Sequence, residues 1–66
     1  MSLYDYNDCL GINRDDPPFY ALIMAAMLRA DTGNADRLKA AFPETWAELD
    51  RRYNAPGGRL PEDEAS

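Results

Sequence analysis

Ten consecutive residues, Phe19-Tyr20-Ala21-Leu22-Ile23-Met24-Ala25-Ala26-Met27-Leu28, form the longest apolar run in the chain. Helix-starting and polar positions bracket it, with Asp16-Pro17-Pro18 in front and Arg29-Ala30-Asp31 behind. The run is about half the length needed to cross a bilayer, so it predicts a helix of a folded domain and not a membrane span. Asp16 is the expected N-cap. The residue before a proline is pushed toward extended backbone, and proline suits the first helical turn. The first predicted helix covers residues 17–31 and stops at Thr32-Gly33, where glycine can turn left-handed. Asn34 is expected to cap a second helix through residue 42, with Asp36 near its start and Lys39 near its end. Pro43 breaks that helix and opens a third, through residue 54, with Glu44 at its positive end and Arg51 and Arg52 at its negative end.

On a helical wheel, Phe19, Leu22, Ile23, Ala26, Met27 and Ala30 share one broad face of the first helix. The third helix carries Trp46, Leu49 and Tyr53, and the second offers Leu38, Ala41 and Phe42, so three apolar stripes can close on one another. The fold class expected is all-α: a compact three-helix bundle over residues 17–58, with an N-terminal arm over 1–16 and a disordered acidic C-terminal tail over 59–66. The tail has one leucine and three acids, a composition that buries too little to order itself.

This bundle leaves Tyr20, Met24 and Leu28, spaced i, i+4, i+8, on the flank of the first helix. A tyrosine and a methionine on an apolar ridge suit an adaptable protein interface. The competing expectation is that Leu3, Tyr4 and Tyr6 of the arm fold back over the ridge.

Size sharpens the argument. A chain of 66 residues forms one domain that buries only roughly 60% of its unfolded surface, and such domains usually need a staple. Cys9 is alone and there is no histidine, which removes an internal disulfide and a zinc site, leaving oligomerisation or partner binding. Residues 1–5 lack the basic start and apolar middle of a secretory signal, and the lone cysteine suits a reducing compartment, so a cytoplasmic location is expected.

The net charge of −5 is uneven. Asp5, Asp8, Asp15 and Asp16 oppose Arg14 near the start, and Glu62, Asp63 and Glu64 crowd the end, while the middle is close to neutral. Nucleic acid is not an expected direct partner, because phosphate contacts need a basic stripe.

Chemistry is not expected either. Counted from Asp5, a calcium loop would need an oxygen ligand where Cys9 stands, and its glycine falls one position late at Gly11. Glu44 and Glu48 share a helix face, but Arg51 and Arg52 follow at ion-pair spacing, so surface pairs explain them better. Cys9 and the serines have no histidine to act as base. The chain reads as no enzyme, with no catalytic residue, no cofactor site and no metal site.

The stretches Pro18-Phe19-Tyr20-Ala21-Leu22-Ile23-Met24-Ala25-Ala26-Met27, Ala41-Phe42-Pro43, Trp46-Ala47-Glu48-Leu49 and Arg52-Tyr53-Asn54-Ala55-Pro56-Gly57-Gly58 resemble small uncharacterised proteins of bacterial phages and prophages. The resemblance implies an accessory protein of a mobile element and transfers no site residue. Among such proteins, anti-CRISPR inhibitors match in size and charge alone.

Three functions follow. The first is an inhibitor of a host nucleic-acid-handling complex, with Tyr20, Met24 and Leu28 as apolar contact and Asp5, Asp8, Asp15 and Asp16 set against a basic groove. The second is a homo-oligomeric assembly protein, such as a homodimer, that buries the ridge between copies. The third is a helix-turn-helix regulator presenting Arg37, Lys39, Arg51 and Arg52 to DNA, against which the acidic balance argues.

Overall fold

The arm folds as a helix. In the computed structural model, which describes residues 1–64, α1 (Leu3–Arg14) starts from Ser2, whose hydroxyl accepts the Asp5 amide at 3.2 Å. It ends at Asp15, whose amide bonds back to Ile12 and Asn13. Asp16 then takes φ +51° while its amide donates to Asn13 O at 3.0 Å. This left-handed residue just past a helix end is the usual way to close α1, and aspartate is among the few non-glycine residues that tolerate it. Asp16 therefore terminates α1 and does not cap the next helix, contrary to expectation.

Helix α2 (Phe19–Arg29) begins instead after Pro18, with no side-chain cap. Helix α3 (Thr32–Ala41) also departs from the expected boundary. Asp31, not Asn34, is its N-cap, with Oδ1 accepting the Asn34 amide at 2.8 Å. Gly33 is thereby absorbed into the first turn of α3 and stops nothing. Helix α4 (Pro43–Tyr53) starts at its proline as predicted, and the single residue Phe42 closes α3 and opens α4.

Helices α2, α3 and α4 pack pairwise into a three-helix unit. The start of α2 meets the start of α4, with the Phe19 and Phe42 rings edge-on at 6.2 Å. Among the described residues only Met27 (4% exposed) and Leu60 (6%) are buried, while Ile23, Leu38, Trp46 and Leu49 are half-buried. Phe19, Leu22 and Ala26 of the predicted core face are exposed, as is Tyr53. Two ten- and eleven-residue helices are too small to cover so wide an apolar face on a third.

The C-terminal segment differs most from expectation. A 3-10 turn at Pro56–Gly58 reverses the chain, with φ +64° at Gly57 and +69° at Gly58. Such angles suit glycine because any Cβ would crowd the following carbonyl. The reversal brings Leu60 into the core and brings the acids of α5 (Pro61–Glu64) within reach of the arginines of α4. Arg52 grips Asp63 with both arms of its guanidinium, at 2.7 and 3.0 Å, and also donates to Gly58 O at 2.9 Å. Arg51 pairs with Glu62 at 2.8 Å. Over its described part the expected tail is therefore a folded clamp, because one buried leucine and two ion pairs outweigh its polar composition. Residues 65 and 66 of that predicted tail lie outside the described residues.

Among the described residues α1 packs against no other element. The radius of gyration is 13.9 Å, against about 11 Å for a compact chain of this length, and the dimensions are 43 × 27 × 18 Å.

Candidate functional site

The ridge on α2 runs along α4 rather than facing away from the bundle. Tyr20 and Met24 line a cleft of about 280 Å³ with Glu44, Thr45 and Glu48. Leu28 lines a second, of about 200 Å³, with Met27, Trp46, Leu49, Asp50 and Tyr53. Met24 is half-buried, whereas Tyr20 (57% exposed) and Leu28 (61%) stay open to solvent. The i, i+4, i+8 spacing thus places all three at the α2/α4 seam. The arm does not cover them: Leu3, Tyr4 and Tyr6 remain exposed on α1.

The four N-terminal acids stand apart from this seam. Asp5 and Asp8 are exposed on α1 at i, i+3 spacing, and Asp15 and Asp16 are exposed in the connection to α2. The structure does not bring these acids and the ridge into one patch, since α1 leaves the bundle.

The cations of the bundle are largely engaged. Arg51 and Arg52 hold the C-terminal clamp, and Arg52 Nε also lies 3.5 Å from Glu48. Lys39 Nζ stands 5.4 Å from the Trp46 ring centroid, within cation–π range. Arg37 bonds Asn34 Oδ1 at 3.4 Å. The Arg52 fork, joined by the Leu60 N–H at 2.9 Å, holds the Asp63 carboxyl well below the usual carboxylate range, and Asp63 in turn raises the Arg52 pKa. These pairings weaken the helix-turn-helix arrangement. So does the linkage between α3 and α4, a single residue where that motif uses a turn of about three or four.

The clamp residues Leu60, Glu62 and Asp63 escaped the sequence reading. Their signal was present: two arginines, a Pro-Gly-Gly reversal, and two acids each eleven residues after its arginine.

Cys9 is exposed on α1. Among the described residues no three of the histidine, cysteine, aspartate and glutamate side chains gather to hold a metal ion, and no helix is long and apolar enough to cross a membrane. No family model matches the chain, and no curated protein or solved structure matches it either.

Proposed function

We propose that this chain is a small non-catalytic protein-binding module, encoded by a phage or prophage, that inhibits a host nucleic-acid-handling complex in the manner of anti-CRISPR proteins and acts in the host cytoplasm. The observation that carries this reading is α1, a twelve-residue helix that packs against no other element among the described residues. Helices of that length are marginal alone in water, and Gly11 weakens this one further. Its exposed Leu3, Tyr4 and Tyr6 offer apolar anchors, and Asp5, Asp8, Asp15 and Asp16 offer negative charge. A basic groove built for a phosphate backbone is the complementary surface, and occupying it excludes nucleic acid. The α2 ridge supplies a second, apolar contact.

A homo-oligomeric assembly protein is the second reading, favoured by the exposed apolar side chains on both α1 and α2. One experiment separates the two. Tagged protein is used to capture complexes from lysate of a bacterial host, alongside an Asp5→Lys/Asp8→Lys variant and a Met24→Glu variant. The inhibitor reading expects one nucleic-acid-handling complex, released by salt or by added DNA and not retained by the charge-reversed variant. Recovery of its own copies alone, with Met24→Glu monomeric by light scattering, would replace it with the assembly reading.

A further inference from the structure

The α2/α3 side of the bundle carries a groove that neither the ridge nor the C-terminal clamp uses. It has a volume of about 470 Å³, with Ala26, Arg29 and Ala30 on one wall and Asn34, Arg37 and Leu38 on the other. The same side of α2 continues through Leu22 and Phe19, four and seven residues before Ala26, and both are exposed. Arg29 forms no ion pair among the described residues, and neither does Arg37, which bonds Asn34 at 3.4 Å. The groove is therefore apolar along its length and carries two arginines open to an acidic partner.

The apolar residues of α1 fall on two opposite sides. Leu3, Tyr6 and Leu10, at i, i+3 and i+7, share one side with no acid among them. Tyr4 and Ile12, at i and i+8, share the other, with Asp8 midway between them and Asp5 beside it. Asp8 forms no ion pair among the described residues, and the amino terminus approaches Asp5 at 3.9 Å.

We propose that the Tyr4-Asp8-Ile12 face of α1 docks in the α2/α3 groove of a second copy, which returns the same contact, giving a reciprocal dimer. Tyr4 and Ile12 lie about 12 Å apart along α1, and Phe19 and Ala26 about 10 Å apart along α2, so one docked helix covers the exposed stripe. Asp8 and Asp5 then face Arg29 and Arg37, so charge selects this side of α1 over the Leu3 side. The hinge selects a second copy over the chain's own α1. Asp16 holds φ +51°, and the rings of Pro17 and Pro18 fix the next two φ angles, so the connection directs α1 away from its own bundle. Exchange of an identical element between copies leaves that hinge as it is. The dimer goes beyond the host-binding role proposed above, and a host groove that takes the same acids competes with it.

Sedimentation of the full chain should show the 7.4 kDa species giving way to one of twice that mass as concentration rises. Helical circular dichroism should rise with it, because docking secures a helix that is marginal alone. Asp5→Lys/Asp8→Lys and Arg29→Glu/Arg37→Glu should each raise the dimer dissociation constant at least about tenfold, since each sets like charges face to face in both contacts. All four positions are exposed, and Trp46 emission should report an intact bundle in both variants. Mixing the two variants should restore a dimer: the lysine helix of one meets the glutamate groove of the other, and the second contact is natural. A mixture that stays monomeric would overturn the exchange. So would a natural chain that is monomeric up to millimolar concentration, or a dimer that Arg29→Glu/Arg37→Glu leaves unchanged. A dimer lost with Leu28→Lys but kept by the arginine variant would move the interface to the α2/α4 seam and overturn it too. The host reading is tested apart, because Arg29→Glu/Arg37→Glu keeps the acids of α1 and should still capture the host complex. Capture with no dimer in the natural chain overturns this inference alone, and a natural dimer with no capture overturns the host reading alone.

Discussion

Replacing Leu60 with alanine tests whether the C-terminal segment belongs to the fold. Leu60 is 6% exposed and one of two buried side chains among the described residues. Alanine removes three carbons, worth about 0.8 kcal/mol each as buried apolar groups, or roughly 2.4 kcal/mol together. Leucine-to-alanine losses in well-packed cores run from about 2 to 5 kcal/mol because a cavity remains. The short α5 that frames this site can collapse inward, which favours the low end, about 2–3 kcal/mol. A core this small supplies only about 3–5 kcal/mol in total, so the change removes about half or more of the stability. Urea unfolding followed by Trp46 fluorescence reads it directly. With a slope near 1 kcal/mol per molar, the midpoint should fall by about 2 M. Leu60→Met, which keeps volume, should cost less than about 1.5 kcal/mol. A midpoint unmoved to within about 0.5 M for Leu60→Ala would refute the buried clamp and restore the flexible tail expected from composition.

Gly57→Ala should destabilise by about 1–2 kcal/mol in the same urea assay, because φ is +64° while an added Cβ would meet only the Arg59 side chain, at 3.9 Å, an ordinary contact, so strain and not a clash is the cause. Asp31→Ala should cost about 1 kcal/mol through loss of the α3 cap, read from thermal unfolding by circular dichroism. Gly11→Ala should raise the helical signal of α1 by favouring it about 1 kcal/mol, since a Cβ there meets open space. Asp63 is held below the usual carboxylate range, so its stabilisation is complete above about pH 4 and is lost as pH falls toward the depressed folded-state value. The urea midpoints of the natural chain and Asp63→Asn should therefore differ most near neutrality and converge in acid. A gap that persists undiminished at about pH 2 would place the effect of Asp63 elsewhere than its charge.

How much of this was legible in the sequence varies by element. Pro43 places the start of α4 because its ring allows only a first-turn position, and no tertiary contact is needed to decide that. The apolar run likewise specifies α2, but its wheel put six residues on the core face, of which Met27 is buried, Ile23 and Ala30 are half-buried, and Phe19, Leu22 and Ala26 are exposed. The Tyr20, Met24 and Leu28 ridge was legible as a set, but its place beside α4 was not, since a wheel orders residues around one helix without saying where the neighbours lie. Helix boundaries were less legible. Asp16, Asp31 and Asn34 are all competent caps, and which one serves depends on how the backbone must turn to bring the next helix into contact. The clamp was the least legible part. Residues 59–64 look polar when counted singly, and local spacing assigns Arg51 and Arg52 to Glu48.

The sequence by itself determined the three central helices, their order and the acidic ends, because propensity, proline geometry and charge are local properties, but it assigned no helix to the segments that form α1 and α5. Only the tertiary structure decided that Leu60 is core, that Arg51 and Arg52 belong to the C-terminal acids, and that α1 stands free of the bundle. Those facts turn on distances across the Pro56–Gly58 reversal and on the limited area that three short helices offer, neither of which is written in any local window of the chain.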